Sequence, residues 1–472
     1  MPKNSDITPL PASGPQNKPA SAASVAMPAD SHSEGGAPTS EIELPDFNDV
    51  ELNNLISGVK LYLQEHNFTE FSESNLFLML IHALRTAINT SNDLAVQNIC
   101  KILINLNEID HAGFMSLLSK KIDIAPYTGQ SFAFTLVDQF YSATITRDTP
   151  SLISLNFLFS ILLQSDSLFL KQLAELQASG NSEGMFGLLL IAQALLRSST
   201  ESLHIMSSEL IASLVILILK KNEELINTRL FQPIPHAAFS GQSVLTFLLN
   251  VVKCEAQHSN EFNNLLLKQL IEAIHNAPES LVNEGLVRVI KRGPDEGLNA
   301  GHIFLQALIA SVQIKNNKGV ADLQVLLKTL SARAGFNAML LDNITSGKYM
   351  NQSGMSMLVQ ALMAAKDNEY DLTPIMDVFA QIIAEQGKEK VLSALQQRVK
   401  YSSTTYLQLL TNVAKDDSSM TRLLNLLENE SSHQETLNPA VNGFFSKTKS
   451  EKEAPEEEHK EFTSTHSSSA SH

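Results

Sequence analysis

Tyr127-Thr-Gly-Gln-Ser-Phe-Ala-Phe-Thr-Leu136 and Phe239-Ser-Gly-Gln-Ser-Val-Leu-Thr-Phe-Leu248 are one phrase written twice. An aromatic residue comes first, then small polar residues with a glycine, then an apolar helical run. An earlier copy reads Phe71-Ser-Glu-Ser-Asn-Leu-Phe-Leu-Met-Leu80. Fainter copies start near Asn181, Leu298, Met350 and Tyr401. The physics of the phrase is a helix start. Ser or Thr caps free backbone N–H groups, and the apolar residue before the cap can staple onto the first turn. Glycine lets the chain reverse direction. The copies recur roughly every 50 to 60 residues, at or slightly above the range of helical solenoid repeats.

Each period holds two further helices. Second helices are expected over 94–106, 151–163, 202–219, 262–274, 323–332, 372–385 and 420–427. Shorter third helices are expected over 112–122, 168–176, 223–231, 281–291, 336–344 and 388–399. Apolar residues such as Leu76, Leu80, Ile81 and Leu84 recur at helical spacing, and alternating strand patterns are weak. The expected fold is therefore all-α: an α-solenoid of about seven three-helix repeats, the last incomplete. A capping helix over 51–65 precedes it. One triplet cannot bury its apolar face alone, but stacked neighbours can.

Composition frames that array. Residues 1–44 are rich in Pro, Ser, Ala and Gly, and 432–472 end in a Lys/Glu block and a Ser/Thr/His tail. Such segments bury too little apolar surface to offset chain entropy and are expected to be disordered, leaving 45–431 as the helical domain. The formal net charge of -16 argues against a general nucleic-acid binder. The start of the chain shows no secretory signal pattern, and the longest apolar run, 210–219, is short for a membrane span. Cys100 and Cys254 sit in apolar helical runs and read as buried thiols.

Catalytic and metal motifs are sparse. No His-Glu-x-x-His, phosphate loop or Gly-x-Ser-x-Gly elbow occurs, so no cofactor, metal or catalytic residue is assigned. His82, His204 and His302 fall in helical runs with no second ligand at i+4. His111 follows Asp110 at a helix start, where capping explains the pair. His236 lies in a proline-rich linker, and Cys254 with His258 is the sole thiol–imidazole pair at helical spacing.

One charge pattern points to a partner. The third-helix segments carry Lys120, Lys121, Lys171, Arg229, Arg288, Lys291, Arg292, Lys388, Lys390 and Arg398. Equivalent helices of a stacked array line one face. Aligned, these cations would form a basic stripe suited to an acidic segment, a phosphorylated ligand or an anionic membrane surface.

The C-terminus reads Glu451-Lys-Glu-Ala-Pro-Glu-Glu-Glu-His-Lys-Glu461, followed by a Ser/Thr-rich end. It resembles the secretion signal of effectors exported by the Dot/Icm type IV system of Legionella and Coxiella. The matching residues are Glu456, Glu457, Glu458 and Glu461. The resemblance implies recognition by a secretion receptor and action in the host cytoplasm. The body likewise resembles the ankyrin- or armadillo-like interaction repeats such effectors carry, but it lacks the ankyrin Thr-Pro-Leu-His and its period is too long. The expected function is a translocated, non-catalytic module that binds a host protein. The alternatives are a non-secreted scaffold of the bacterial cytoplasm and a helical enzyme built around His236 or Cys254.

Overall fold

The computed structural model describes residues 44–45, 47–65, 74–165, 167–180, 182–200, 205–258, 264–399, 402–414 and 418–428. The tail at 432–472, and all of 1–44 but Leu44, lie outside them. All described helices belong to one compact unit that begins at Leu44. Among the described residues there are 21 α-helices and no strand.

Helix α1 (Asp49–Glu65) comes first. The first triplet is α2 (Ser74–Asn89), α3 (Asp93–Ile109) and α4 (His111–Ser119). The second is α5 (Phe132–Thr146), α6 (Thr149–Ser165) and α7 (Ser167–Ala174). The third is α8 (Gly187–Thr200), α9 (Ile205–Lys220) and α10 (Glu224–Phe231). The fourth is α11 (Val244–His258), α12 (Asn264–Asn276) and α13 (Glu279–Val287). The fifth is α14 (Ala300–Gln313), α15 (Asn317–Ser331) and α16 (Ala334–Leu341). The sixth is α17 (Gly354–Asp367), α18 (Thr373–Gln386) and α19 (Lys388–Leu395). Helices α20 (Tyr406–Ala414) and α21 (Ser418–Glu428) start a seventh.

Like packs on like. First helices touch first helices from α2 to α20, second touch second from α3 to α21, and third touch third from α4 to α19. The array is an α-solenoid of three parallel rows. A single residue shows why no triplet stands alone. The Phe77 ring of α2 meets Phe114 of α4 edge-on at 5.4 Å and Phe132 of α5, in the next triplet, at 5.1 Å. Its burial is shared between neighbours, and each such ring contributes about 2 kcal/mol of apolar transfer. One apolar interior runs unbroken from Leu52 to Leu427.

Local chemistry sets the helix boundaries. Ser131, Ser243, Asn299, Ser353 and Thr405 each accept a backbone N–H three residues on and cap first helices. First helices end on a left-handed residue: Ser91 (φ 53°), Arg147 (61°), Lys315 (60°) and Glu369 (61°). The next polar residue then caps the second helix. Asn92, Asp148 and Asn316 accept from Ala95, Ser151 and Gly319.

Except for α10, the third helices end earlier than their apolar spacing suggests. Past α4, α7, α13 and α16 one buried residue is pinned by two backbone hydrogen bonds. Ile122 N–H donates to Gln130 and its carbonyl accepts from Gly129, both at 2.8 Å. Gln177, Ile290 and Ile344 repeat the arrangement with Met185 and Gly184, Leu298 and Gly297, and Gln352 and Asn351. Ile122, Ile290 and Ile344 extend the apolar period, which is why spacing alone runs those helices through them. Successive loops then stack. Lys291 N–H donates to the Ser240 carbonyl at 3.0 Å. A Cβ at Gly297 would overlap the Ser346 carbonyl, and one at Gly347 would overlap that of Glu296.

Candidate partner-binding surface

The inner first helices, α5 to α17, are mostly buried, so the positions that reach the surface on them fall on one side. In α14 only Gln306, Ile309 and Gln313 escape full burial. The same register carries a polar residue in every triplet: His82, Asp138, Gln193, Asn250, Gln306 and Gln360. Four of them stand nine residues ahead of the left-handed Ser91, Arg147, Lys315 and Glu369. The array therefore repeats a polar rung as well as its core, half-buried at each of these positions but Asn250, which is buried.

The rungs are richest where α2, α5 and α8 meet. His82 Nε2 donates to the Pro45 carbonyl at 3.1 Å, and Nδ1 lies 3.1 Å from the Tyr127 hydroxyl. A carbonyl can only accept, so Nε2 carries the proton, and in the neutral ring Nδ1 accepts from Tyr127. Phe47 packs on the same imidazole, ring centroids 5.9 Å apart. One turn on, the Arg85 guanidinium lies 5.6 Å from the centre of the Tyr127 ring. Asp138 of α5 is next. Burial pushes its carboxyl up to about 6, with the Arg85 charge pulling the other way. Burial also raises the hydroxyls of Tyr127 and Tyr141; Arg85 opposes the first and Arg197 of α8 the second. Two arginines, one carboxyl, one phenol and an imidazole thus share one half-buried line, with the Tyr127 phenol buried beneath it.

Further along, Asn250 and Lys253 of α11 both bond Asp295, at 3.0 and 3.1 Å. Gln360 donates to the Tyr406 hydroxyl at 2.8 Å. Gln306 Nε2 is buried and meets no hydrogen-bond partner among the described residues.

The cations expected on the third-helix row are placed differently from one another. Lys171, Arg229, Lys388 and Lys390 do lie on third helices, and Arg288 caps α13. Lys120, Lys121, Lys291, Arg292 and Arg398 fall beyond the helix ends, in the stacked loops, because the chain turns before them. Arg229 is half-buried. Its Nε donates to the Ala174 carbonyl at the end of α7 at 2.8 Å, and its guanidinium lies 5.7 Å from the Phe186 ring centre. Arg288 is exposed and pairs with Glu284 at 2.6 Å, while Lys120 reaches Ser74 at 3.2 Å. Glu456, Glu457, Glu458 and Glu461 lie outside the described residues.

The remaining sequence candidates take structural roles. Asp110 caps α4 through Gly113 at 2.8 Å. His236 starts a short 3-10 turn and accepts from Ala238 N–H at 3.3 Å. Cys100 and Cys254 are buried free thiols, pushed up to about 12 and about 11 by burial. His204 and the His258 side chain lie outside the described residues. Among the described residues no group of three His, Cys, Asp or Glu could hold a metal ion, and no single helix is long and apolar enough to cross a membrane. No protein-family model, curated protein or solved structure matches the chain.

Sequence spacing does not show the first-helix line, because a polar residue inside an apolar helix gives no sign of which neighbouring helix it will face. Counting seven residues on from the caps Ser131, Ser243, Asn299 and Ser353 picks out Asp138, Asn250, Gln306 and Gln360.

Proposed function

We propose that the chain is an interaction module whose first-helix row receives a protein partner, and that it acts as a type IV effector in a host cell. The observation that carries the binding half is the polar rung repeated in register on helices that are otherwise mostly buried from α5 to α17. A solvent-facing helix needs no such register, whereas a surface that reads a long partner presents equivalent groups at equal steps. The tail resemblance supports the delivery half. Its glutamates would engage the secretion receptor while the array engages a host protein.

The two halves have separate tests. A reporter fused to the full chain should reach the host cytoplasm by type IV secretion, and deletion of the last twenty or so residues should abolish entry. Entry unaffected by that deletion overturns the delivery reading. The full chain should also retain one host protein at a stoichiometric level from lysate. Retention undiminished by charge reversal at both Arg85 and Arg197 removes the first-helix row as the receiving surface.

A further inference from the structure

We infer that the line across α2, α5 and α8 receives an extended peptide segment that carries carboxylates and an aromatic side chain. This rests on the reading of the first-helix row as the receiving surface and names what it receives. The precedent lies within the chain. The non-helical residues Leu44, Pro45 and Phe47 lie against the first rung: a backbone carbonyl takes the His82 proton at 3.1 Å, and an aromatic ring packs on the imidazole. That segment reads Leu44-Pro-Asp-Phe-Asn-Asp49, so it is itself acidic and aromatic.

The following rungs offer the same chemistry. Arg85 shares the face of His82 one turn on, and its guanidinium lies over the buried Tyr127 ring. Arg197 of α8 lies near enough to Tyr141 of α5 to oppose the rise of its hydroxyl, and Asp138 stands one turn before Tyr141 on the same helix. The line carries two guanidinium groups, Arg85 and Arg197, and one carboxyl, Asp138, although the whole chain is acidic. Guanidinium groups take carboxylates in paired hydrogen bonds, and the half-buried Tyr141 ring can accept an aromatic neighbour. Half-burial strengthens these contacts relative to open water. A folded domain would need a broad matching face. An extended segment needs only the single line that the first helices expose.

The test uses the full chain and a fluorescein-labelled twelve-residue peptide that repeats the Leu44–Asp49 sequence twice. Anisotropy should rise to saturation as protein is added. Arg197→Glu should weaken binding at least tenfold, and Arg197→Gln should weaken it less. Lys268→Glu, on the exposed face of α12, should leave binding unchanged. Helix content and melting temperature of each variant, read by circular dichroism, separate lost binding from lost fold. Absence of saturable binding to the unmodified chain, or equal affinity for Arg197→Glu, overturns the inference. Stoichiometric retention of a host protein that also persists in Arg197→Glu overturns it while leaving the interaction reading standing.

Discussion

Gly241 lies flat against the Val289 carbonyl oxygen, one triplet further along the array. Gly241 ends a stacked loop, takes φ +85°, and has no room for a side chain: a Cβ there would overlap that oxygen. The contact ties the loop before α11 to the loop before α14, so register between triplets is set by backbone as well as by core packing.

That relationship separates two costs that glycine substitution usually mixes. Gly293 has a similar φ of +97° with nothing within 4 Å of an added Cβ. Gly293→Ala should lose about 1–2 kcal/mol, the cost of a left-handed residue with a Cβ. Gly241→Ala should lose about 3 kcal/mol, because overpacking against rigid backbone is added. Urea unfolding of the two variants side by side measures the difference. Equal losses would mean that the stacked loops give way freely.

Arg229 and Arg288 looked alike in the sequence and should behave differently. Arg229 reaches back one triplet to the end of α7 and covers the Phe186 ring. Arg229→Ala should cost about 2–3 kcal/mol, from a charged hydrogen bond to a helix-end carbonyl and a cation–ring contact. Arg288→Ala breaks an exposed i,i+4 pair and should cost about 0.5 kcal/mol or less. Thermal melts at low and high salt check both, and only the Arg288 effect should vanish with salt.

The helix order and the three-row stack were legible because each cap residue, Ser131 or Asn299 for example, announces a helix within four residues of itself. Most second helices matched within about three residues, with Asn92 and Asp148 marking two of the starts, but α15 begins at Asn317, six residues before the expected 323. Third-helix ends were not legible. Ile122, Ile290 and Ile344 are buried for loop reasons at a spacing that a helix would also produce. Nor was the first-helix line. His82, Arg85, Tyr127, Asp138 and Arg197 come from two first helices, a loop and a third first helix, and their meeting depends on the stacking distance between triplets. A sequence gives each residue's helix phase but not which neighbour it will face.

Asp138 gives the line a pH dependence of known sign. Its carboxyl is held up near 6 in the fold against about 3.8 in the open chain. The folded state therefore binds the extra proton between those values, so stability falls as pH rises from about 4 to about 6 and stays lower above that. Asp138→Asn should remove this loss. The variant should be about 1–3 kcal/mol more stable than the parent at pH 7 and equal to it near pH 4. Denaturant unfolding across that range measures the gap. A constant gap at all pH values would mean that the carboxyl is not held up.

His302 titrates in the opposite direction and can be told apart from Asp138. It sits in α14 with both ring nitrogens buried and without hydrogen-bond partners among the described residues, and burial pushes it down to about 4 from 6.5. Below pH 6.5 the unfolded chain takes a proton that the folded imidazole refuses until about 4. Stability contributed by the neutral ring is therefore lost as pH falls through that window, by about 3 kcal/mol at its end. His302→Leu keeps a similar volume and removes two unpaired polar atoms. It should add about 1–3 kcal/mol at pH 7, and its advantage should widen as the solution is acidified toward pH 4. The backbone N–H of residue 302 still donates to the Asn299 cap, so the start of α14 is left intact. Melting temperatures of parent and variant at pH 7, 5.5 and 4.5 measure the trend. An advantage that shrinks on acidification would show that the folded imidazole accepts its proton readily, and that α14 opens to water at this turn.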